Sequence, residues 1–265
     1  MSEINGATRL YAIIGDPIAQ VGSPRVFNAL FREHGIDAAL VPVRIAPADL
    51  AVAVGGLKRL LNLDGIIVTV PHKMRMLEFA DEVLPTGKRV GAINALRRDP
   101  HGRWIGDMFD GKGFVAGLRA RGHEPAGKTV LLVGAGGAGS AVAYALAEAG
   151  AARLTISDVD AAKAARLAAG VAAAYPRVGT VAGPPAPEGH ELVVNATPLG
   201  MAPGDPLPLD LARLRPGTLV ADVVIKAEPT ALLAEAKRLG CQIHGGRHML
   251  DGQAKAIFAF FGFGS

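Results

Sequence analysis

Residues 129–139 read TVLLVGAGGAG, an apolar run that leads directly into a glycine-rich loop of the form G-x-G-x-x-G. A strand, such a loop and a following helix make up the phosphate-binding unit of dinucleotide-binding folds. Gly134 permits the tight turn, Gly136 lets the backbone approach the phosphates, and Gly139 lets the helix pack closely on the strand. The stretch therefore predicts a Rossmann-type domain that binds a dinucleotide.

The segments that follow the loop predict how the cofactor is held. A helix over 137–149 would direct its free N–H groups and its positive dipole end at the phosphates, so Gly137 and Ala138 are candidate contacts. A second strand, 153–157, ends at Asp158, about 20 residues after the glycines, where a carboxylate can accept bonds from ribose hydroxyls. A 2′-phosphate would meet that carboxylate as a like charge. The sequence therefore predicts NAD rather than NADP.

The composition is that of a globular protein, because half of the 265 residues are hydrophobic and a fifth are charged. The net charge is +4, but the Lys and Arg residues are scattered, so we expect no nucleic-acid partner. The single cysteine, Cys241, permits neither an internal disulfide nor a cysteine metal cluster. With the polar residues 1–8, it predicts a cytoplasmic protein without a secretion signal.

The uncharged stretch 129–147 is nearly long enough to span a bilayer. Its glycines are concentrated in the loop, which favours a buried strand and helix over a membrane span. We therefore expect no membrane partner.

The order of the predicted elements indicates two α/β halves. Strands alternate with helices at lengths typical of parallel sheets. Glycines and a proline interrupt the pattern within 121–128, which places a domain boundary there. The predicted organisation is a first domain over 1–121, a dinucleotide-binding domain over 122–248, and a closing helix within 249–265 that packs back on the first domain.

Two charged residues at the ends of predicted elements are candidate catalytic groups. Lys73 follows the buried strand 65–70, where ligands of parallel sheets bind, and Asp110 begins the predicted helix 110–121. An alcohol dehydrogenase needs a group that removes the hydroxyl proton as hydride leaves the carbon. A carboxylate could hold such a lysine and bind a substrate hydroxyl. Spacing alone leaves it open whether Lys73 is a surface helix residue and Asp110 an N-cap.

Seven segments in order along the chain make it recognisable: 15–24 (GDPIAQVGSP), 68–73 (VTVPHK), 91–94 (GAIN), 106–111 (GDMFDG), 134–139 (GAGGAG), 195–201 (NATPLGM) and 249–253 (MLDGQ). With them the chain resembles the shikimate/quinate dehydrogenase family over essentially its whole length. The resemblance implies an N-terminal α/β substrate domain and a C-terminal Rossmann-type NAD-binding domain with a cleft between them. It also implies reversible hydride transfer between nicotinamide and a ring or secondary alcohol, as in aromatic amino acid biosynthesis.

The resemblance implies roles for individual side chains. The implied catalytic pair is Lys73 and Asp110. The implied substrate-binding residues, which contact the ring hydroxyls and the carboxylate, are Ser23, Thr69, Asn94 and Gln253. The implied contacts on the nicotinamide side of the cofactor are Asn195, Thr197 and Met249.

The chain departs from the family pattern by losing polar groups. Apolar residues stand where the family has serine, asparagine, threonine or tyrosine, at Val21, Ile67, Ala95, Met108, Phe109 and Ile225. A hydrogen bond to a charged group is worth about 1.5–3 kcal/mol, so the losses predict much weaker shikimate binding. A less polar carboxylate or hydroxy compound is thus an alternative to quinate and shikimate. Arg247 is either a replacement anion contact or an exposed arginine.

The second strand end also departs from the family's NADP-using members, which have Asn-Arg where this chain has Asp158-Val159; this agrees with the expectation of NAD. Two other functions remain open. One is a methylene-tetrahydrofolate dehydrogenase-like enzyme, which would need a tyrosine near Lys73. The other is an NAD-binding regulatory protein with weak catalysis, against which the presence of Lys73 and Asp110 argues. We expect a small hydroxy-carboxylate substrate and a monomer or homodimer.

Overall fold

The computed structural model describes residues 4–226 and 229–264, and within these ranges the chain forms twelve strands and eight α-helices. The strands are β1 Arg9–Gly15, β2 Ala38–Arg44, β3 Leu63–Val68, β4 Glu82–Val83, β5 Ala95–Arg98, β6 Trp104–Asp107, β7 Thr129–Val133, β8 Arg153–Ser157, β9 Gly179–Ala182, β10 Leu192–Asn195, β11 Leu219–Asp222 and β12 Gln242–His244. The α-helices are α1 Ser23–Glu33, α2 Leu50–Leu57, α3 Pro85–Val90, α4 Asp110–Ala120, α5 Gly137–Glu148, α6 Ala161–Ala174, α7 Ala231–Arg238 and α8 Arg247–Phe260.

The chain forms two compact units. The first is Met1–Phe109 with Gln253–Ser265, and the second is Asp110–Gly252. The first division falls before α4, twelve residues earlier than the predicted boundary after residue 121. The reason is that α4 packs against α5 with almost no space between their backbones. A side-chain carbon on Gly111 would lie only 2.2 Å from the carbonyl oxygen of Ala141.

The second unit is built on a parallel sheet in the order β12-β11-β10-β7-β8-β9. Read from β9, this is the 3-2-1-4-5-6 order of doubly wound dinucleotide-binding folds. Its central strands are buried and apolar, as parallel strands with both faces covered must be. The expected Rossmann-type α/β fold is therefore confirmed for this unit.

The first unit has a mixed sheet in the order β2-β1-β3-β5-β6-β4. Strands β1, β2 and β3 are parallel, whereas β5 and β6 form an antiparallel hairpin next to β3. One face is covered by an aromatic cluster to which Tyr11, Phe27, Phe31, Phe258 and Phe261 contribute. Because Phe258 and Phe261 come from the last residues of the chain, those residues complete the core of the first unit.

No helix within the described ranges, residues 4–226 and 229–264, is long and apolar enough to cross a membrane. The uncharged stretch 129–147 forms β7, the following loop and most of α5. Its apolar side chains belong to the core of the second unit, to which Val130, Leu132, Val142 and Leu146 contribute.

Candidate functional site

The strand order of the second unit reverses between β7 and β10. These two strands are paired in parallel, with Val133 opposite Asn195. In open α/β sheets, ligands bind outside the carboxyl ends of the strands at such a switch point. The glycine loop (residues 134–139) follows β7 there, and the segment 196–199 follows β10. The structure thus brings together two sequence-predicted segments that lie about 60 residues apart in the chain.

Two glycines of the glycine loop are required by the packing around them. Gly134 has φ +107°, and a side-chain carbon on it would lie 2.8 Å from the carbonyl carbon of Ala196. A side-chain carbon on Gly139 would lie 2.0 Å from the carbonyl oxygen of Gly134. Real side chains essentially never approach backbone so closely, so both positions need glycine for the turn to form at all.

Gly136 differs, because no atom would lie within 4 Å of a side-chain carbon added there. It is exposed and is the N-cap residue of α5. Among the described residues no side chain caps α5, as is also true of α1, α2 and α3, whereas in the same unit Asp160 caps α6 and Thr230 caps α7. The N-terminus of α5 therefore presents uncapped N–H groups to open space, an arrangement that fits a dinucleotide phosphate. Gly137 and Ala138, half-buried, are the first residues of α5.

Asp158 follows β8, as predicted, but its carboxylate is engaged by backbone. Oδ2 accepts a hydrogen bond from the Ala135 N–H at 2.7 Å, and Oδ1 accepts one from the Asp160 N–H at 2.9 Å. The side chain therefore braces the glycine loop against the end of β8. A carboxylate with this role in the loop need not be a ribose ligand.

Asn195 ends β10, and its fully buried side chain holds the segment 196–199 in place. Its Oδ1 accepts hydrogen bonds from the Thr197 backbone N–H at 3.0 Å and hydroxyl at 2.7 Å. Its Nδ2 donates to the Leu199 carbonyl at 3.1 Å. The amide is therefore occupied within the protein, which makes Asn195 an organiser of this segment. Met249, at the start of α8, is buried in the core of the second unit.

Sequence reasoning missed Asp222, which ends β11 opposite Asn195. It is fully buried, and Oδ1 accepts a hydrogen bond from Asn195 Nδ2 at 3.0 Å. Burial raises the pKa of Asp222, while hydrogen bonds from Thr230, Val224 and Asn195 act in the opposite direction. The available signal was a lone carboxylate closing an apolar predicted strand at the carboxyl edge of a parallel sheet.

In the first unit the structure joins Asn94 to Gln253, 159 residues apart. Asn94 Nδ2 donates to Gln253 Oε1 at 2.9 Å, and both side chains are buried. Asn94 Oδ1 accepts from the Phe109 N–H at 2.9 Å, and the Asn94 backbone bonds to Val68 and Asp107. Asn94 and Gln253 form what we call the polar pair. The polar pair is thus fixed between the ends of β3 and β6. Both residues were predicted to meet the same substrate.

Lys73 and Asp110 lie in different units. Lys73 is half-buried in a turn after β3, and its carbonyl accepts a hydrogen bond from the Ile93 N–H at 3.0 Å, one residue before the polar pair. It is therefore not on a surface helix. Asp110 is 1% exposed and is the first residue of α4. Ser23 opens α1 and is buried, and Thr69 is half-buried directly after β3.

The apolar replacements in the first unit have become part of its packing. Ile67, Met108 and Phe109 are all buried, and the Phe109 ring packs on Phe260 at 5.1 Å between centroids. Val21 is half-buried against the aromatic cluster. In the second unit Ile225 is half-buried and Arg247 exposed. Phe109, whose N–H is bonded to Asn94, therefore places an apolar side chain next to the polar pair.

The chain is similar to known proteins over almost its whole length. A family model, the shikimate dehydrogenase substrate binding domain, matches residues 13–96. A shikimate dehydrogenase (NADP(+)) of Acidiphilium cryptum is 41% identical over 97% of this chain and 91% of its own. The crystal structure of shikimate dehydrogenase from Aquifex aeolicus has a TM-score of 0.87 at 32% identity, covering 98% of this chain and 94% of that one. A 5-ketofructose reductase of a Gluconobacter strain has a TM-score of 0.81 at 32% identity, covering 97% and 94%.

These relatives correct the predicted cofactor. Curated relatives with 37–41% identity are named shikimate dehydrogenase (NADP(+)), which contradicts the predicted preference for NAD over NADP. That prediction took Asp158 for a ribose ligand, whereas its carboxylate is bonded to the backbone of Ala135 and Asp160. The fold, the motif order and relatives that match nearly its full length agree: this chain belongs to the shikimate dehydrogenase family.

Proposed function

We propose that this protein is a shikimate dehydrogenase that interconverts a ring alcohol of shikimate and the corresponding ketone with NADP(+), the cofactor in the names of its relatives. The observation that carries the proposal is the bond between Asn94 and Gln253. It unites two residues that the family resemblance assigns to one substrate, although most of the chain separates them. The first unit would bind the substrate and the second the cofactor.

The polar pair suits a substrate with neighbouring hydroxyl groups. Gln253 accepts from Asn94 through Oε1, so its Nε2 group is the side that can donate to a substrate oxygen. The Phe109 N–H holds Asn94 Oδ1 and thereby fixes the orientation of both amides. Buried amides held in this way reject a compound that lacks the matching hydroxyls, because its binding would leave polar groups unpaired.

Lys73 and Asp110 supply the acid–base chemistry in this proposal. When bound, the nicotinamide cofactor would supply the acceptor for the hydride of the alcohol carbon. Lys73 Nζ removes the proton from the alcohol oxygen during oxidation and returns it during reduction. The resemblance assigns to Asp110, which is almost fully buried, the role of a hydrogen-bond acceptor that orients the lysine and a substrate hydroxyl.

The glycine loop and α5 hold the cofactor phosphates in this proposal. The uncapped N–H groups of α5 donate to the pyrophosphate, and the open space at Gly136 admits it. Segment 196–199 lies beside the loop and is expected to border the nicotinamide end, as the resemblance implies for Asn195 and Thr197.

The test is turnover of shikimate with NADP(+), followed by nicotinamide absorbance, in the wild type and in Lys73→Met. We expect kcat to fall by about 10²–10⁴ in Lys73→Met, the usual contribution of a general acid–base group, with the Kd for NADP(+) unchanged by calorimetry. Lys88→Met, at an exposed lysine of α3, is the matched control and should keep wild-type rates. Near-wild-type turnover by Lys73→Met would refute its catalytic role.

A second candidate substrate class is a keto sugar without a carboxylate. The specific observations are Val21, which stands where the family has a second serine for the substrate carboxylate, and the similarity to a 5-ketofructose reductase. The same assay, run in the direction of reduction with 5-ketofructose and of oxidation with quinate, compares these compounds with shikimate. A higher kcat/KM for either compound than for shikimate would reassign the substrate and leave the reaction type intact.

A further inference from the structure

Asp222 is a fully buried carboxylate that accepts hydrogen bonds from three directions. Oδ1 accepts from Asn195 Nδ2 and from the Val224 N–H, both at 3.0 Å, and Oδ2 accepts from the Thr230 hydroxyl at 2.6 Å. The Thr230 oxygen in turn accepts from the Leu233 N–H at the start of α7. One carboxylate therefore joins the ends of β10 and β11 to the first turn of α7.

Each of these partners donates a hydrogen bond to Asp222, so both of its carboxyl oxygens must act as acceptors. Burial favours the neutral carboxyl and raises its pKa, but the donors and the cationic Lys226 favour the charged form. A buried carboxylate with several donors is a rigid centre, because moving any one partner leaves a polar group unpaired in the interior.

Asn195 carries this rigidity to the candidate cofactor site. With one Nδ2 hydrogen held by Asp222 and the other by the Leu199 carbonyl, its Oδ1 is turned towards Thr197. Segment 196–199 is thereby fixed where Ala196 and Thr197 contact Gly134 of the glycine loop. If the Asn195 amide could rotate, the segment beside the glycine loop would lose its fixed position.

We propose that Asp222 is a positioning residue for the cofactor site, which acts through Asn195 to fix segment 196–199 against the glycine loop. The inference rests on the proposed function in one respect, that the ligand of this site is a nicotinamide dinucleotide. Asp222 itself touches neither cofactor nor substrate in this scheme. Its effect is to order the site before the ligand arrives, which lowers the cost of binding.

The experiment measures the Kd for NADP(+) by calorimetry in Asp222→Ala and Asp222→Asn. Asp222→Ala leaves the Asn195 amide without its partner, and we expect the Kd to rise about tenfold or more. Asp222→Asn can keep its oxygen towards Asn195 and Val224 while its NH₂ group donates to Thr230, and we expect a change of about threefold or less. Equal losses in both variants, or no loss in Asp222→Ala, would overturn the inference.

Leu232→Ala separates positioning from general destabilisation. Leu232 is a buried core residue of α7 outside the network, so its truncation lowers the melting temperature without touching Asn195. We expect wild-type Kd for NADP(+) in this variant, measured well below its melting temperature. In an Asn195→Ala background, Asp222→Ala should add no further loss. A loss of affinity in Leu232→Ala, or additive losses in the double variant, would contradict the proposal.

Hydrogen exchange without ligand distinguishes this inference from the proposed function. The Thr197 N–H is bonded to Asn195 Oδ1, and the Leu199 N–H to the Thr197 hydroxyl, so both should exchange faster in Asp222→Ala but not in Leu232→Ala. If the wild type bound no nicotinamide dinucleotide, the proposed function would fail. Faster exchange would still establish how Asp222 orders the segment, and unchanged exchange would refute it.

Discussion

The backbone forms the candidate cofactor site at the end of β7, whereas side chains form the candidate substrate site beside β5. The glycine loop depends on the absence of side chains at Gly134 and Gly139, and it leaves open space at Gly136. The polar pair depends on two amides that hold each other. A site formed by the backbone requires particular residues at consecutive positions, whereas a site formed by side chains can combine residues that are distant in the sequence. The candidate cofactor site can therefore be recognised in a short stretch of sequence, and the candidate substrate site only in the folded chain.

The largest effect is expected from glycine replacement in the glycine loop. Gly139→Ala forces a methyl group against the Gly134 carbonyl, and we expect about 3 kcal/mol or more of lost stability, seen as a large fall in the melting temperature. Gly136→Ala is the matched variant, because its methyl group meets open space. It should fold normally and bind NADP(+) more weakly by calorimetry. Comparable stability of the two variants would show that Gly139 is no more tightly packed than Gly136.

Acid should destabilise the unit that carries the glycine loop. His244 is buried, its Nε2 has no partner among the described residues, and its ring lies near His248, His123 and Arg121. Burial, followed by the electrostatic effect of these neighbours, lowers the pKa of His244 from 6.5 to about 4. The unfolded chain therefore takes up a proton in this window that the folded chain does not, and stability falls as pH drops from about 6.5 to 4.

We expect the loss attributable to His244 to reach up to about 3 kcal/mol at pH 4. Urea unfolding of the wild type and His244→Phe at several pH values measures it. The phenylalanine cannot take up a proton and keeps the edge-on ring packing with Phe114. The two proteins should differ least above pH 7, and the wild type should lose more stability on acidification. Parallel pH profiles would assign the acid sensitivity to other groups.

The smallest effect is expected from a replacement in the polar pair. Gln253→Met removes the acceptor for Asn94 and the donor offered to substrate, and it preserves the length of the side chain. We expect the KM for shikimate to rise about tenfold, the value of one or two neutral hydrogen bonds, with the KM for NADP(+) unchanged. Gln242→Met, at an exposed residue of β12 in the other unit, is the control. An equal change in both KM values would mean that the polar pair serves more than the substrate.

The elements that the sequence predicted well are those whose residues decide their structure locally. The run TVLLV became β7 and the following helix became α5, with ends within one residue of the prediction. Short elements such as α3, β4 and β9 were not predicted. Helix α3 has only six residues, less than two helical turns, and β4 and β9 are short edge strands without a buried residue. None of the three has the continuous apolar run that identified β7.

The candidate site was predictable as a set of residues but not as a set of bonds. Spacing placed Asp158 at a strand end, where a carboxylate can meet a ribose, but not in its bonds to Ala135 and Asp160. The same limit hid Asp222, whose partners come from three separate segments. Hydrogen-bond partners are chosen by the tertiary structure, and several chemically sensible partners compete for each polar group. Sequence reasoning of this kind identifies candidates and leaves their partners open.

Helix α8 carries a consequence for how the protein is made. Its last turns and the residues after it belong to the first unit, although the whole second unit lies between them and the rest of that unit. A ribosome usually releases domains that fold in order from the N-terminus. Here the earlier unit must wait for Phe258 and Phe261, so the glycine-loop unit can be complete while the polar pair still lacks Gln253. During synthesis, the nascent chain would form its candidate cofactor site before its candidate substrate site is complete.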